Sequence, residues 1–487
     1  MCRFFILYDV IIKSISALKG DRILGCFLIY YSKRLVRIKS KGDIKMQKTK
    51  KIIAMLLVVC MVCMLFGGCS KKKVDPSLGR VYYLNFKPEQ AEDWERLAQQ
   101  YTDQTGVEVS VVTAASDTYE STLKSEIAKT QAPTLFQVNG PVGLSTWKDY
   151  CYDLSQTSVY KNLSSDDFAL KGDNNEVLAV AYVIETYGII YNKQLMKDYI
   201  GTSGAVISSV EEINNFETFK AVVEDIQKKK DILNIRGAFT SSGMDSSSDW
   251  RFKTHLANLP VYYEYLDEGI KQSEAIKGTY LSNYKNIWDL YINNSTVSPS
   301  MLSSKTSEDA ASEFALREAV FYQNGTWAYN DIAGYDVDDE DIGFLPIYIG
   351  AEGEEQQGLC TGSENYWCIN KNASQKDIDA TIKFLDWVIT SDEGREALSQ
   401  DMGFVTPFTT FSGEYVADNP LIKAANEYIA KGKKPVAWTF TTMPSEQWKD
   451  GVGSALLEYA QGTGDWAAVE RAFVDGWSKE YKASNGG

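Results

Sequence analysis

From Val81 onward, hydrophobic and polar positions switch between two periods. Val81 to Phe86 is an apolar-rich run that predicts a strand. Pro88 then stands where a first helical turn accepts proline. Trp94, Leu97, Ala98 and Tyr101 fall at i, i+3, i+4 and i+7 and form one apolar stripe of a helix. Gly106 is placed to end it as a left-handed residue. Val107, Val109 and Val111 alternate with polar neighbours, the period of a strand. Tyr119, Leu123 and Ile127 mark a second helix that stops before Pro133. Leu135 to Val138 is the next strand, and Asn139-Gly140-Pro141 turns the chain. The order β-α-β-α-β predicts a mostly parallel, doubly wound sheet.

Beyond Tyr187 the predicted helices are longer, around Phe216 to Lys230 and Asn283 to Asn293. Loops rich in Ser and Gly divide them, notably Ser241 to Ser248. Strand character returns at Ile342 to Pro346 and at Tyr366 to Ile369. Ser374 and Asp377 form a capping pair, opening a helix with Ile378, Ile382, Leu385 and Val388 or Ile389 on one face. Ser391 caps a further helix that Gly403 ends. At 487 residues the chain is long enough for two domains with substantial cores.

The N-terminal segment reads differently. From Met46 a basic stretch leads into the apolar run Ile52 to Phe66, which falls short of the roughly 20 residues of a spanning helix. It ends in Leu65-Phe66-Gly67-Gly68-Cys69, which resembles a bacterial lipobox. That resemblance implies a signal peptide over 46–68, cleavage before Cys69 and a lipid on its sulfur, with 69–77 as the tether. Residues 1–45 then read as an upstream extension ahead of the true start at Met46. The first 68 residues are basic, so the remainder is more acidic than the net −15 of the whole chain. Such a charge argues against nucleic acid and against adsorption on an anionic membrane. Of the cysteines after the anchor, Cys151, Cys360 and Cys368, no pair has metal-ligand spacing; a Cys360–Cys368 disulfide and buried free thiols both remain open.

Four stretches carry a wider resemblance. They are Leu97-Ala-Gln-Gln-Tyr-Thr-Asp-Gln-Thr-Gly-Val-Glu-Val109, Ala132-Pro-Thr-Leu-Phe-Gln-Val138 and Tyr182-Val-Ile-Glu-Thr-Tyr-Gly-Ile-Ile-Tyr-Asn-Lys193. The fourth joins Phe321-Tyr-Gln-Asn-Gly-Thr-Trp327 with Phe384-Leu-Asp-Trp-Val-Ile-Thr-Ser-Asp-Glu-Gly394. In this order they resemble the family 1 extracellular solute-binding proteins of bacterial ABC importers, the group that includes maltose- and oligosaccharide-binding proteins. The resemblance implies an α/β, two-lobed periplasmic-binding-protein-like fold of type II. Each lobe would be a doubly wound sheet with helices on both faces, joined to the other by a hinge. It implies one lobe from 78–185 plus 346–400 and the other from 186–345 plus 401–487. It also implies capture of a carbohydrate, with an oligosaccharide as the leading case, and delivery by a lipid-anchored monomer to an ABC permease. A polyamine, a peptide or another non-sugar solute remains open, as does a secreted glycan-degrading enzyme.

The residues limit the chemistry. One histidine, His255, is too few for a multi-histidine metal site and leaves a triad without support. The acidic run Asp336 to Asp341 lacks the spacing of a calcium loop and reads as a solvated turn. No cofactor is expected. Binding is better served, because Trp and Tyr pair an apolar face with a polar tip and so match the C–H faces and hydroxyl edges of a sugar. Asn139 follows a strand's carboxyl end, where ligands approach an open α/β sheet. Glu185 and Tyr187 lie at the crossover between lobes. Trp327 matches the family position that lies against sugar, with Asn330 and Asp331 close behind. Glu364 and Asn365 stand in the loop Gly362 to Trp367. Asp245, Asp249, Trp250 and Arg251 form a polar and aromatic group in the second lobe, where Arg251 would meet a carboxylate or a ring. Trp438 is a further platform candidate.

Overall fold

The computed structural model describes residues 72–114, 118–245 and 248–484. The upstream extension, the signal peptide and the lipid site at Cys69 lie outside these residues. β1 (Arg80–Asn85), α1 (Ala91–Thr105), β2 (Glu108–Thr113), α2 (Tyr119–Ile127) and β3 (Leu135–Asn139) follow the predicted order. The α1 stripe of Trp94, Leu97, Ala98 and Tyr101 is buried, and Gly106 closes the helix at φ +82°, its N–H donating to the carbonyl of Thr102 at 2.9 Å. The predicted turn after β3 is instead the start of a helix, α3 (Gly140–Trp147). Pro141 belongs to its first turn, where proline costs no hydrogen bond.

β1 lies between β2 and β3 and is parallel to both. The chain then adds the antiparallel pair β4 (Ala169–Lys171) and β5 (Val177–Ala181). It crosses into a second sheet through β6 (Glu185–Asn192), α4 (Phe216–Lys228), β7 (Gly237–Phe239), α5 (Asn258–Glu268), α6 (Leu281–Asn293), α7 (Ser307–Ala315), β8 (Ala319–Gly325), β9 (Ile342–Leu345) and β10 (Gln357–Gly362). β11 (Asn365–Ile369) returns to the first sheet, antiparallel to β3 and β5, followed by α8 (Gln375–Thr390). Ser374 caps α8, its hydroxyl accepting the N–H of Asp377. The chain closes with α9 (Pro420–Ala430), β12 (Lys434–Ala437), α10 (Glu446–Gln461) and α11 (Trp466–Ser484).

The two sheets run β2-β1-β3-β11-β5-β4 and β12-β10-β6-β8-β7, with β9 paired to β6 beyond β10. Both are mixed rather than mostly parallel: β1, β2 and β3 run parallel in the first, and β10 with β12 and β7 with β8 in the second, while the remaining pairs are antiparallel. In the central strands alternate residues enter cores on opposite faces, as the strand period requires. In β1, Tyr83 packs with Trp94, Trp367 and Phe384, and Leu84 with Tyr119, Leu123 and Trp147. In β6, Ile189 and Ile190 divide in the same way between the two cores of the second sheet.

The expected lobe borders at 346 and 400 are displaced. β10 pairs with β6 and β12, and Ile347, Tyr348 and Ile349 pack in the second core, so the return crossing falls between Gly362 and Asn365. Phe404 and Phe408 pack in the first core, and Val405 and Phe408 bridge to Ile184 and Leu163, so the last crossing comes after them. Apolar runs of this kind serve either core equally well, and strand pairing decides between them. Cys151, Cys360 and Cys368 are buried free thiols; Cys360 lies in β10 and Cys368 in β11, strands of different sheets. The Asp336 to Asp341 run is largely exposed, and no cluster of potential metal ligands occurs among the described residues.

Candidate functional site

Strand register brings several ends to one place. Asn365 opens β11 directly opposite Asn139, the last residue of β3. In the second sheet Tyr187 faces Gly325 at the end of β8, and Glu185 faces Gly362 at the end of β10. These positions lie at the crossing between the sheets, and a cavity of about 510 Å³ opens beside them. Asn139, Pro141 and Glu364 line it from one side, and Phe440, Thr441 and Lys449 from the other.

The second lobe holds a cluster of rings, the aromatic wall, of which Phe440 lines that cavity. Trp327 follows β8 in a short 3-10 turn, Trp250 opens the π turn Arg251–Leu256, and Trp438 follows β12. The Trp250 and Trp327 rings lie 6.1 Å apart at 54°, and both are half-buried. Trp438 and Phe440 meet at 4.9 Å, and His255 lies between the two pairs. Glycine makes room for the indoles. A Cβ on Gly325 would sit 2.2 Å from the Trp327 ring, and one on Gly362 2.6 Å from that of Trp438.

The first lobe and the crossing strands supply polar groups. Lys87, just after β1, donates to Glu185 at 2.8 and 3.0 Å in a buried ion pair. Burial pulls the Lys87 ammonium down, but Glu185 and Glu89 more than offset this, and it stays charged. Glu364 is half-buried; burial, opposed by Lys449 and Lys87, pushes its carboxyl up to about 7. Asn139 stands at the N-cap of α3, yet its side chain does not cap the helix, and its Oδ1 has no protein partner. Both polar atoms of the buried Asn365 and the indole nitrogen of Trp438 are likewise without one. Buried polar groups are nearly always hydrogen-bonded, so these unspent donors and acceptors at a crossing between lobes mark a place where a polar ligand can bond.

The sequence matches the family described as bacterial extracellular solute-binding protein over residues 96–428. The chain belongs to this family. Solved structures share the fold of this solute-binding protein at low identity. RafE from Streptococcus pneumoniae, in its apo form, is 18% identical, covering 82% of this chain and 98% of that one, with TM-score 0.57. The GacH receptor of Streptomyces glaucescens is 15% identical, covering 83% and 98%, with TM-score 0.61. A sugar transporter from Bacillus licheniformis, in complex with stachyose, is 16% identical, covering 82% and 100%, with TM-score 0.61.

In this solute-binding protein the crossing gathers Asn139, Glu185, Glu364 and Asn365, and the aromatic wall gathers Trp250, Trp327 and Trp438. Tyr187 belongs underneath: it is fully buried and stacks on His255 at 4.3 Å. The other candidates take different places. Asp249 is paired with Lys253 at 2.9 Å. Arg251 is 1% exposed, its guanidinium 5.3 Å from Phe252 and 5.5 Å from Tyr322, so it meets rings rather than a carboxylate and is withdrawn from the cleft surface. Asp245 is half-buried, and Asn330 is exposed. Asp331 is also exposed, but crowding and the charges of Glu89 and Glu308 raise its carboxyl. Lys87, His255, Phe440 and Lys449 escaped the sequence reading. Lys87 alone had a signal, since it follows a strand's carboxyl end as Asn139 does.

Proposed function

We propose that this chain captures a carbohydrate, with an oligosaccharide as the leading case, between its two lobes and delivers it to an ABC permease. The observation that carries this reading is the half-buried pair Trp250 and Trp327, two tilted indoles with centroids 6.1 Å apart, in a protein that also leaves hydrogen-bonding groups of Asn139, Asn365 and Trp438 unspent. Aromatic faces take the C–H side of a sugar, and directional polar groups select its hydroxyls. Fold relatives support it: RafE is solved with raffinose, GacH with acarbose and the Bacillus licheniformis protein with stachyose. Hinge closure would trap the ligand by its higher affinity for the closed state. A lipid on Cys69, with a tether to about Ser77, would hold a monomeric receptor at the outer face of the membrane near its permease. The chain would bind without turnover.

A thermal-shift screen with raffinose, stachyose, acarbose and chitin oligosaccharides tests the reading, because a ligand of the native state raises its apparent stability. A sugar that shifts the wild type is then titrated by calorimetry against Trp327→Ala, with at least tenfold weaker binding expected. Unchanged affinity removes Trp327 from the site; no shift with any sugar removes the carbohydrate reading. A second reading, a cationic solute such as a polyamine, draws on Glu120, Glu364, Glu446 and Glu480, four carboxylates lining the cavity. Spermidine in the same screen decides it.

A further inference from the structure

The only histidine of the chain sits where the aromatic wall is assembled. Residues five apart point roughly 140° apart in an α-helix of 3.6 residues per turn. A π turn, closed by bonds between residues five apart, brings them back to one face, and such turns occur often at functional sites. The turn Arg251–Leu256 is of this kind, with the Ala257 N–H reaching the Phe252 carbonyl at 3.1 Å. Trp250 and His255 are five apart, and their rings meet edge-on at 5.0 Å and 77°.

Tyr187 fixes His255 from below. The two rings stack at 7°, and the Tyr187 hydroxyl donates to the His255 carbonyl at 2.9 Å. From its other sides His255 meets Trp327 at 5.5 Å, Phe440 at 5.0 Å and Trp438 at 5.8 Å. No other described ring meets all three indoles. The imidazole bonds to no other described side chain, so it acts through its ring. Burial holds it well below the usual imidazole range, and the cations facing it push the same way: Lys449 from α10, Lys87 from the loop after β1 and Arg251 from its own turn.

We propose that His255 is the positioning residue of the aromatic wall: its ring braces Trp250 and Trp327 at the tilt that offers both indole faces to one ligand. The inference rests on the carbohydrate reading for the use of that wall, but its test requires no ligand. Two indoles at 6.1 Å and 54° couple excitonically, and the couplet in far-ultraviolet circular dichroism is the part of the spectrum lost in Trp250→Phe. In the full chain His255→Ala is expected to lose more than half of that couplet, whereas His255→Phe, which keeps a flat ring on Tyr187, retains most of it. The proposal is overturned by a wild-type couplet in His255→Ala, by equal losses in both variants, or by no spectral loss in Trp250→Phe. If His255→Ala fails to fold, His255→Leu is read in its place; failure of both variants to fold makes His255 a core residue and also overturns the proposal.

Discussion

The two sides of the proposed cleft are built by different means. On the first-lobe side Lys87, Asn139 and Asn365 stand at or just beyond the ends of β1, β3 and β11, where strand register fixes each backbone. On the second-lobe side Trp250, Trp327 and Trp438 come from turns and loops beyond β7, β8 and β12, and the rings hold one another. The physics of each contact explains the division. Hydrogen bonds weaken steeply with misalignment, so their groups need a rigid base. Aromatic burial scales with area and tolerates small shifts, so it can rest on turns braced by packing. In the proposed function the aromatic side supplies most of the affinity and the polar side most of the discrimination.

The largest expected effect breaks the polar side. Lys87→Met leaves Glu185 as a buried unpaired charge, and loss of about 3–5 kcal/mol in urea unfolding is expected. Adding Glu185→Gln removes both charges and should recover most of that loss; a double variant as unstable as the single one would show that the ion pair is not the cause. A smaller effect strikes the aromatic side. Gly325→Val drives a side chain into the Trp327 ring and should cost about 1–3 kcal/mol as overpacking, while Gly325→Val combined with Trp327→Ala should lose less than the two single changes added together. Equal thermal midpoints for the wild type and Gly325→Val would contradict the close approach.

The smallest effect concerns pH. The Glu364 carboxyl rises from the ordinary 4.5 to about 7, so between these values the folded state holds more proton than the unfolded one. Stability therefore declines as pH rises from about 4.5 to 7, which is the sign required when the native state binds the extra proton. Because Glu364 is half-buried, solvent screening keeps the effect small. Glu364→Gln should flatten this part of the stability profile, and a slope identical to wild type would remove Glu364 as its source.

Local pattern was enough to read much of the scaffold. The stripe of Trp94, Leu97, Ala98 and Tyr101, the left-handed Gly106 and the cap at Ser374 each depend on neighbours within a turn or two. The proposed site was legible in part as positions along the chain: strand ends and the crossing loop point to Asn139, Glu364 and Asn365, and the family pattern points to Trp327. Arg251 shows the limit, because a polar residue beside Trp250 gives no sign in sequence that a π turn sends it into the interior. His255 and Phe440 show the converse: nothing local distinguishes a core ring from one that shapes a binding wall.

The sequence by itself determined the order of elements, their caps, the acidic balance and the family. Those properties follow from spacing and side-chain chemistry along the chain. Only the tertiary structure decided that β10 joins the second sheet, that Lys87 meets Glu185 and that one histidine touches three tryptophans. Apart from the local contact of His255 with Trp250, each of these joins residues far apart in the chain, and their contact exists only once strand pairing and core packing have chosen which apolar faces meet.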